Sequence, residues 1–594
     1  MKLFILAYVF LLYGWTRGQE LFPGKITLVD STDIYLGDDN FGTIAAFGDY
    51  NGDGSPDLFI ISDNEHEVTV QSKSDSGKQW YAPDKKPKVS WPNNTIVSVT
   101  PSDFTGDKIT DLLVIILTDD DDLESIAAYM HAGNDKLEFG DPILVSDQLL
   151  NQPLVADYNY DMVADVFGAT KNGDLKFWVF KNKEDGFEER LVKSSERNLA
   201  PVNYAFINLN SDMNTHLFIT SDNGKGLVYE TWNVTEADDG LITWQFRDSH
   251  FLKRDGYIGI STFVDIDADG YLDQVVPVCL DDACVQSGIK YYSGKGKDWV
   301  DIMTAEDLLG WHFPSPKDIP AWRRITAGFQ LRSGDFNLDS YTDFTCIMRK
   351  GANETNEVVI LINDGGLGLT LNRVPATNSN KSPFVAAFVD MSMTAHMDIV
   401  VGTETEEGNM YHLMTNTFSP DANFIKVEVV QRTCAKCSGS HVSNQPGPVT
   451  KYETTTPSGE RQQLRAGLLS QSAYLALQLP YVIMGLSQNP NFVDVVSVSI
   501  PNKCCDIQVQ RSNSWLSLIP NSQLVVYPVN LDGPDSWESS LIIHPSQSVL
   551  LTGVVLIGTC LFIGVIAGLL HLLERREDDK QKRQEAHKFH FDAM

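Results

Sequence analysis

An acidic loop set between two apolar runs recurs seven times in this chain, and it constrains the fold more tightly than any other feature. Its clearest copy runs Ala46-Phe47-Gly48-Asp49-Tyr50-Asn51-Gly52-Asp53-Gly54-Ser55-Pro56-Asp57-Leu58-Phe59-Ile60, and a second runs from Phe263 to Asp273. Aligned on their first polar residue, the copies begin at Asp49, Asp103, Asp157, Asn208, Asp265, Asp335 and Asp390. Successive spacings are 54, 54, 51, 57, 70 and 55 residues. Each unit has room for four short strands, so the period predicts an all-β, seven-bladed propeller over 19–413, with one terminal strand closing the ring. The longest interval predicts an inserted loop around Trp299 to Trp322.

Oxygen donors fall at the first, third, fifth and ninth positions of each loop. A tight turn brings such short side chains to one point, and a hard cation such as Ca²⁺ takes six to eight oxygens. Asp265, Asp267, Asp269 and Asp273 supply four carboxylates. Three further sets supply three carboxylates and an amide: Asp49, Asn51, Asp53 and Asp57; Asp157, Asn159, Asp161 and Asp165; Asp335, Asn337, Asp339 and Asp343. In the last two, Met162 and Ser340 replace the turn glycine. Asp103, Thr105, Asp107 and Asp111 form a weaker set. The expectation is roughly three to five structural Ca²⁺ sites, against the competing reading of a solvated Asx-rich turn at any single copy. Asp390, Ser392, Thr394 and Asp398, like Asn208, Asn210, Asp212 and His216, are expected to be metal-free turns held by side-chain-to-backbone hydrogen bonds. An EF-hand is excluded, because the twelfth position is Ile60 in the first copy and Val276 in the fifth, with no bidentate Glu.

The two ends predict the compartment. Met1-Lys2, the apolar run Leu3 to Tyr13 and Thr16-Arg17-Gly18 read as a signal peptide over 1–18. Val549 to Leu570 is 22 residues without a charge, enough for a transmembrane helix. Arg575, Arg576, Lys580, Lys582, Arg583 and Lys588 follow it, whereas 530–548 contains no Lys or Arg, so the tail 571–594 is expected in the cytoplasm and the bulk outside. Sequons at Asn93, Asn233, Asn353 and Asn380 are glycosylation candidates on that outer part. Gly564 and Gly568 have the small-xxx-small spacing that permits close helix pairing into a homodimer. A net charge of −33 excludes nucleic-acid binding by the bulk of the protein.

Alternating strands such as Phe424 to Val430 and Val496 to Ile500 predict a β-sandwich over 414–535, followed by a juxtamembrane linker over 536–548. Cys434 and Cys437, with the adjacent Cys504 and Cys505, are expected to form two disulfides of open pairing in an oxidising compartment. Zinc is the alternative, although adjacent cysteines suit it poorly. Cys279 and Cys284 are expected to close a hairpin, and Cys346 to be a core thiol. No Gly-x-Ser-x-Gly, His-Glu-x-x-His or phosphate-cradling glycine loop is present, so catalysis has no motif to rest on.

Phe41-Gly42 and the Asp-x-Asn-x-Asp-Gly loops resemble the FG-GAP repeats of integrin α-chain propellers. Signal peptide, seven repeats, second β-domain, single span and the terminus Phe589-His590-Phe591-Asp592-Ala593-Met594 together resemble the T-cell immunomodulatory protein (linkin) family over essentially the whole chain. That resemblance implies a cell-surface protein linked to adhesion, with immune modulation among vertebrate members, and cytoplasmic association with RuvB-like AAA+ ATPases and tubulin. Phe589 and Phe591 are aromatic residues near the end of a charged tail and therefore its candidate docking anchors. The expected function is an adhesion or receptor-like glycoprotein; a shed immune-modulating ligand is the alternative, and a propeller enzyme ranks third.

Overall fold

A computed structural model describes residues 28–591 except 38–39, 74–79, 82–86, 119–125, 195–197, 210–214, 237–241, 297, 319–328, 352–354, 366, 375–381, 418–421, 432–444, 470–474, 490, 503–509 and 544–546. The signal-peptide segment, Asn210, Asp212, Asn353, Asn380, Cys434, Cys437, Cys504 and Cys505 lie outside the described residues.

The second strand of each repeat is a run too apolar for a half-solvated sheet. Asp111–Leu117 and Asp273–Cys279 are buried at every position, which requires cover on both faces. Radially stacked sheets provide it. Seven antiparallel sheets follow one another along the chain: blade 1 (43–90), blade 2 (96–149), blade 3 (154–194), blade 4 (198–253), blade 5 (262–303), blade 6 (311–373) and blade 7. Blade 7 joins Ser382–Val389, Asp398–Thr405 and Gly408–Asn416 to the N-terminal strand Leu28–Asp30, which pairs Leu28 with Asn416 and Asp30 with Met414. The ring is thus closed by the first strand laid against the last repeat. A four-residue helix, Thr32–Tyr35, follows that strand; Asp30 Oδ1 accepts from the Thr32 amide and hydroxyl at 3.1 and 2.6 Å.

The stretch expected to be an inserted loop between blades 5 and 6 carries two short paired segments. Trp299–Met303 is the outer strand of blade 5, and Trp311–His312 pairs with Asp343–Lys350 of blade 6. Buried Trp311 and Leu308 pack against Cys279 and Cys284, and these two cysteines form a disulfide at the link between the second and third strands of blade 5. Cys346 is a buried free thiol.

The second domain is a two-sheet sandwich. One sheet orders Tyr481–Ser487, Asn423–Val429, Ser522–Tyr527 and Glu538–Ile543; the other orders Arg461–Gly467, Val449–Thr455, Val493–Ser499 and Ser512–Leu518. The segment expected to be a linker over 536–548 is therefore corrected: Glu538–Ile543 is the last strand of the sandwich, and Trp537 is buried in its core. Sequence composition favoured a stalk because that strand lies at a sheet edge and all six of its residues are exposed.

A separate compact unit begins at Ile543. It is one helix, Gln547–Phe591, of 45 residues. At about 1.5 Å per residue it is roughly 68 Å long, about twice what a bilayer core needs. The apolar run predicted to span lies within it, and among the described residues it is the one helix long and apolar enough to cross a membrane, as a single-pass membrane protein needs. Backbone helix continues to Phe591 through the tail.

Candidate functional site

The repeated loops share one hydrogen-bonded frame. In the loops starting at Asp49, Asp157, Asp265, Asp335 and Asp390, one oxygen of that first Asp accepts the amide of the fifth residue at 2.9–3.1 Å. The other oxygen accepts the amide of the sixth residue at 2.8–3.0 Å. The ninth-position carboxylates of Asp57, Asp111, Asp165, Asp273 and Asp343 each accept the amide of the loop's second residue at 2.7–3.2 Å. Asp103 departs slightly, accepting from Gly106 and Lys108 at 2.7 and 3.0 Å.

The first and ninth acids therefore fold the turn, whatever else they hold. The loop at Asp390 keeps the frame with only two carboxylates, Asp390 and Asp398, and with Ser392 and Thr394 bonded to each other at 2.7 Å. The frame also forces left-handed backbone at the sixth position. Met162, Ala395 and Ser340 take φ of 66°, 63° and 82° where other copies place glycine. Such residues cost on the order of 1 kcal/mol each. Met162 has a return: its side chain joins the sandwich core.

The third and fifth positions distinguish the copies. Asn51, Asn159 and Asn337 each donate an amide hydrogen to Asp53, Asp161 and Asp339 respectively, at 3.1, 2.8 and 2.8 Å. In those three loops the fifth-position acid is paired within the loop, although Asp57 Oδ1 in the first is still enclosed without a hydrogen bond. In blade 5 the third position is Asp267, which has no hydrogen to give to Asp269. Oxygens of Asp265, Asp267 and Asp269 lie within 4.8 Å of one another, the one such acidic group among the described residues. Oδ1 of Asp267 is enclosed without a hydrogen bond, and Lys295 Nζ sits 2.7 Å from Asp269. Burial raises Asp265 to about 8 and Asp273 to about 7, with neighbouring carboxylates adding to the effect. Carboxylate oxygens gathered at this spacing are hard donors of the kind that fits Ca²⁺.

The sandwich covers the loop-bearing face of the propeller. Its Arg465 amide reaches Asp265 Oδ2 at 3.0 Å, and Gln463 Nε2 reaches the Asp269 carbonyl at 2.7 Å. The Gly485 amide donates to Asp335 Oδ2 at 2.9 Å, and Ser340 Oγ donates back to the Gly485 carbonyl at 2.9 Å. Arg511 binds the Tyr160 carbonyl at 2.5 Å and Asp532 at 2.8 Å. At blade 7 the cation is built in: Lys426 lies 3.4 Å over the Tyr481 ring and 3.5 Å from Met393 Sδ, and its charge acts on Asp390. The segment after Arg461–Gly467 then enters the inner rim, where Ala476 bridges Ala46 and its carbonyl accepts from the Phe47 amide at 3.1 Å. No motif announced the contacts of Arg465, Gly485 and Arg511 with the loops, since they are made across roughly 150–350 residues of chain.

The glycosylation candidates divide. Asn93 is exposed in a turn before Ile96–Ser102. Asn233 lies inside the strand Gly226–Glu236 at 1% exposure, its amide 3.5 Å from Gln245 Oε1, so this candidate is buried where a glycan needs an exposed asparagine.

The profile described as FG-GAP-like repeat matches residues 49–114, and that described as ITFG1, C2 domain matches residues 440–542. The human T-cell immunomodulatory protein is 32% identical over 592 residues, covering 94% of this chain and 93% of that one. Protein linkin of Caenorhabditis elegans is 26% identical over 94% of this chain and 96% of its own. Among solved structures, the Dos1 propeller is similar over 67% of this chain and 83% of that one, at 9% identity and a TM-score of 0.35. The names of the two relatives describe no enzyme. With repeats, covering sandwich and near full-length similarity in place, the chain belongs to the T-cell immunomodulatory protein (linkin) family.

Proposed function

We propose that this protein is a cell-surface, receptor-like adhesion glycoprotein that holds its extracellular partner on the propeller face opposite the acidic loops. The observation that carries this reading is the covering of the loop face by the chain's own sandwich, from Arg465 at blade 5 through Gly485 at blade 6 to Lys426 at blade 7. A partner protein meets the other face, built from links between second and third strands and between blades. There the hairpin closed by Cys279 and Cys284 exposes Leu280 and Val285, and Leu309 is 81% exposed.

Calcium enters as a structural ion. Asp265, Asp267, Asp269 and Asp273 would hold it, and it would offset the negative charge that Lys295 alone does not balance. Positive charge after the span favours an outside propeller and a cytoplasmic tail, where Phe589 and Phe591 would anchor a partner. RuvB-like ATPases are the first candidates to look for there.

Affinity capture of the tagged full-length chain on intact cells tests the face assignment. Val285→Glu with Leu309→Glu should abolish partner recovery, whereas Phe492→Glu on the exposed sandwich surface should leave it intact. Undiminished recovery by the double variant rejects the assignment. Abundant cleaved ectodomain in the medium, active without the membrane form, favours the shed-ligand reading instead.

A further inference from the structure

The inner strands of blades 5, 6 and 7 and the covering sandwich enclose a cavity of about 150 Å³. By the volume of liquid water it has room for about five waters, or for one small organic ion. Its walls are apolar at Phe263, Phe388 and Leu479, and carry charge at Arg332, Arg465 and Asp335. Asp335 is already committed, because its two oxygens accept the amides of Asp339, Ser340 and Gly485.

Arg332 is not committed. Its two terminal nitrogens reach only the Leu475 carbonyl, both at 3.5 Å, beyond the usual range of about 2.7–3.2 Å for a good N–H···O bond. Among the described residues no carboxylate pairs with it, and burial alone moves its pKa, downward to about 10. A guanidinium has five N–H donors and cannot give up its charge in a protein. The side chain is half-buried on the inner strand Arg332–Gly334, and its charge has no carboxylate to offset it there. The surrounding chain has 79 acidic residues against 46 basic ones, so a carboxylate partner for this arginine was abundantly available and is not used. Ser333, which lines the same cavity, is exposed, so solutes reach the cavity at that edge.

We propose that this cavity is a binding site for a small oxyanion, a carboxylate or phosphate, gripped by the Arg332 guanidinium through two parallel hydrogen bonds. Planar, forked recognition of this kind is what arginine does and lysine does not. The apolar walls and the volume limit the guest to a few heavy atoms and exclude a peptide or nucleotide.

Thermal unfolding of the full-length chain in detergent tests the site, titrating sodium phosphate and, separately, sodium succinate against sodium chloride at constant ionic strength. A saturable rise in unfolding temperature with one or both oxyanions is expected, and the more effective salt identifies the source chemistry. Arg332→Gln should weaken that response tenfold or more in apparent Kd, and Arg332→Lys should restore only part of it. A response no greater than that to chloride, or one undiminished in Arg332→Gln, overturns the proposal. If Arg332→Gln does not fold, equilibrium dialysis of labelled phosphate and succinate against the unmodified chain decides: about one site per chain supports the assignment, and none rejects it.

Discussion

Gly485→Ala is the sharpest test of how the sandwich is seated. Gly485 does not have a left-handed backbone, so alanine is conformationally acceptable and the effect is one of space. A methyl there would come within 2.5 Å of the Leu338 carbonyl oxygen and closer still to Asp335 Oδ2. Both are backbone or hydrogen-bonded groups of the blade 6 loop, so neither swings aside. The strand Tyr481–Ser487 must lift, which breaks the Gly485 amide bond to Asp335 and the Ser340 hydroxyl bond to the Gly485 carbonyl. Losing a bond to a charged acceptor costs about 1.5–3 kcal/mol and one to a neutral acceptor about 1. Overpacking adds about 1–3 kcal/mol, and these terms overlap because lifting the strand relieves the clash. The expected loss is about 3–5 kcal/mol in urea unfolding of the detergent-solubilised chain, read by tryptophan fluorescence. Gly459→Ala is the control: its φ is +88° with nothing within 4 Å, so it pays only backbone strain of about 1 kcal/mol. If Gly485→Ala costs no more than Gly459→Ala, the sandwich is not seated on blade 6 through this glycine.

Three further outcomes are expected. Asp267→Ala should reduce the drop in unfolding temperature caused by a calcium chelator, more than Asp390→Ala does, and should leave the chelated protein at least as stable as the unmodified chain because it removes a repelling charge; equal responses contradict the ranking of the loops. Glu428 is buried, and its carboxyl is raised from 4.5 to about 8 by burial first and Asp49 next, against the pull of Lys426. The folded state then holds a proton that the unfolded state releases, so this group's contribution is full below about 4.5 and is lost as pH rises towards 8. Glu428→Gln should flatten the fall in stability across that window by an amount on the order of a few kcal/mol, and an unchanged slope in urea titrations from pH 4.5 to 8 rejects the assignment. Finally, Asn93→Gln should remove one glycan by mass spectrometry of protein from secretory cells, whereas Asn233→Gln should leave the mass of attached glycan unchanged; a glycan lost with Asn233 means the strand Gly226–Glu236 is misplaced.

The propeller was legible because its signal is local and repeated. A short acid-rich turn between two apolar strands needs only about fifteen residues to be recognised, and recurrence multiplies its weight. The disulfide between Cys279 and Cys284 was legible for the same reason, its partners being five positions apart in sequence. What the sequence did not reveal lies in pairings without period. Gly485 and Asp335 are 150 residues apart, and nothing in either neighbourhood announces the other. Asn233 failed because a sequon is three residues long and does not report that its strand turns the asparagine inward. The edge strand Glu538–Ile543 failed because its residues are exposed like those of a stalk. Differences between the loops were hidden too: replacing Asn by Asp at the third position looks like one more ligand, whereas in space it removes the hydrogen that keeps Asp269 and its neighbours compatible.

Closing the ring with Leu28–Asp30 sets a schedule for biosynthesis. That strand is made before every blade it helps to close, and its partner, Gly408–Asn416, emerges nearly 400 residues later. At about 5–20 residues per second the early strand waits roughly 20–80 s for its place. Throughout that interval blades 1 to 6 stand as an open arc with a raw edge at each end, and edges of this kind recruit other strands. A nascent chain stalled or truncated before blade 7 would therefore be sticky rather than partly functional. Production of this protein should depend on chaperones that hold the arc until its two ends meet.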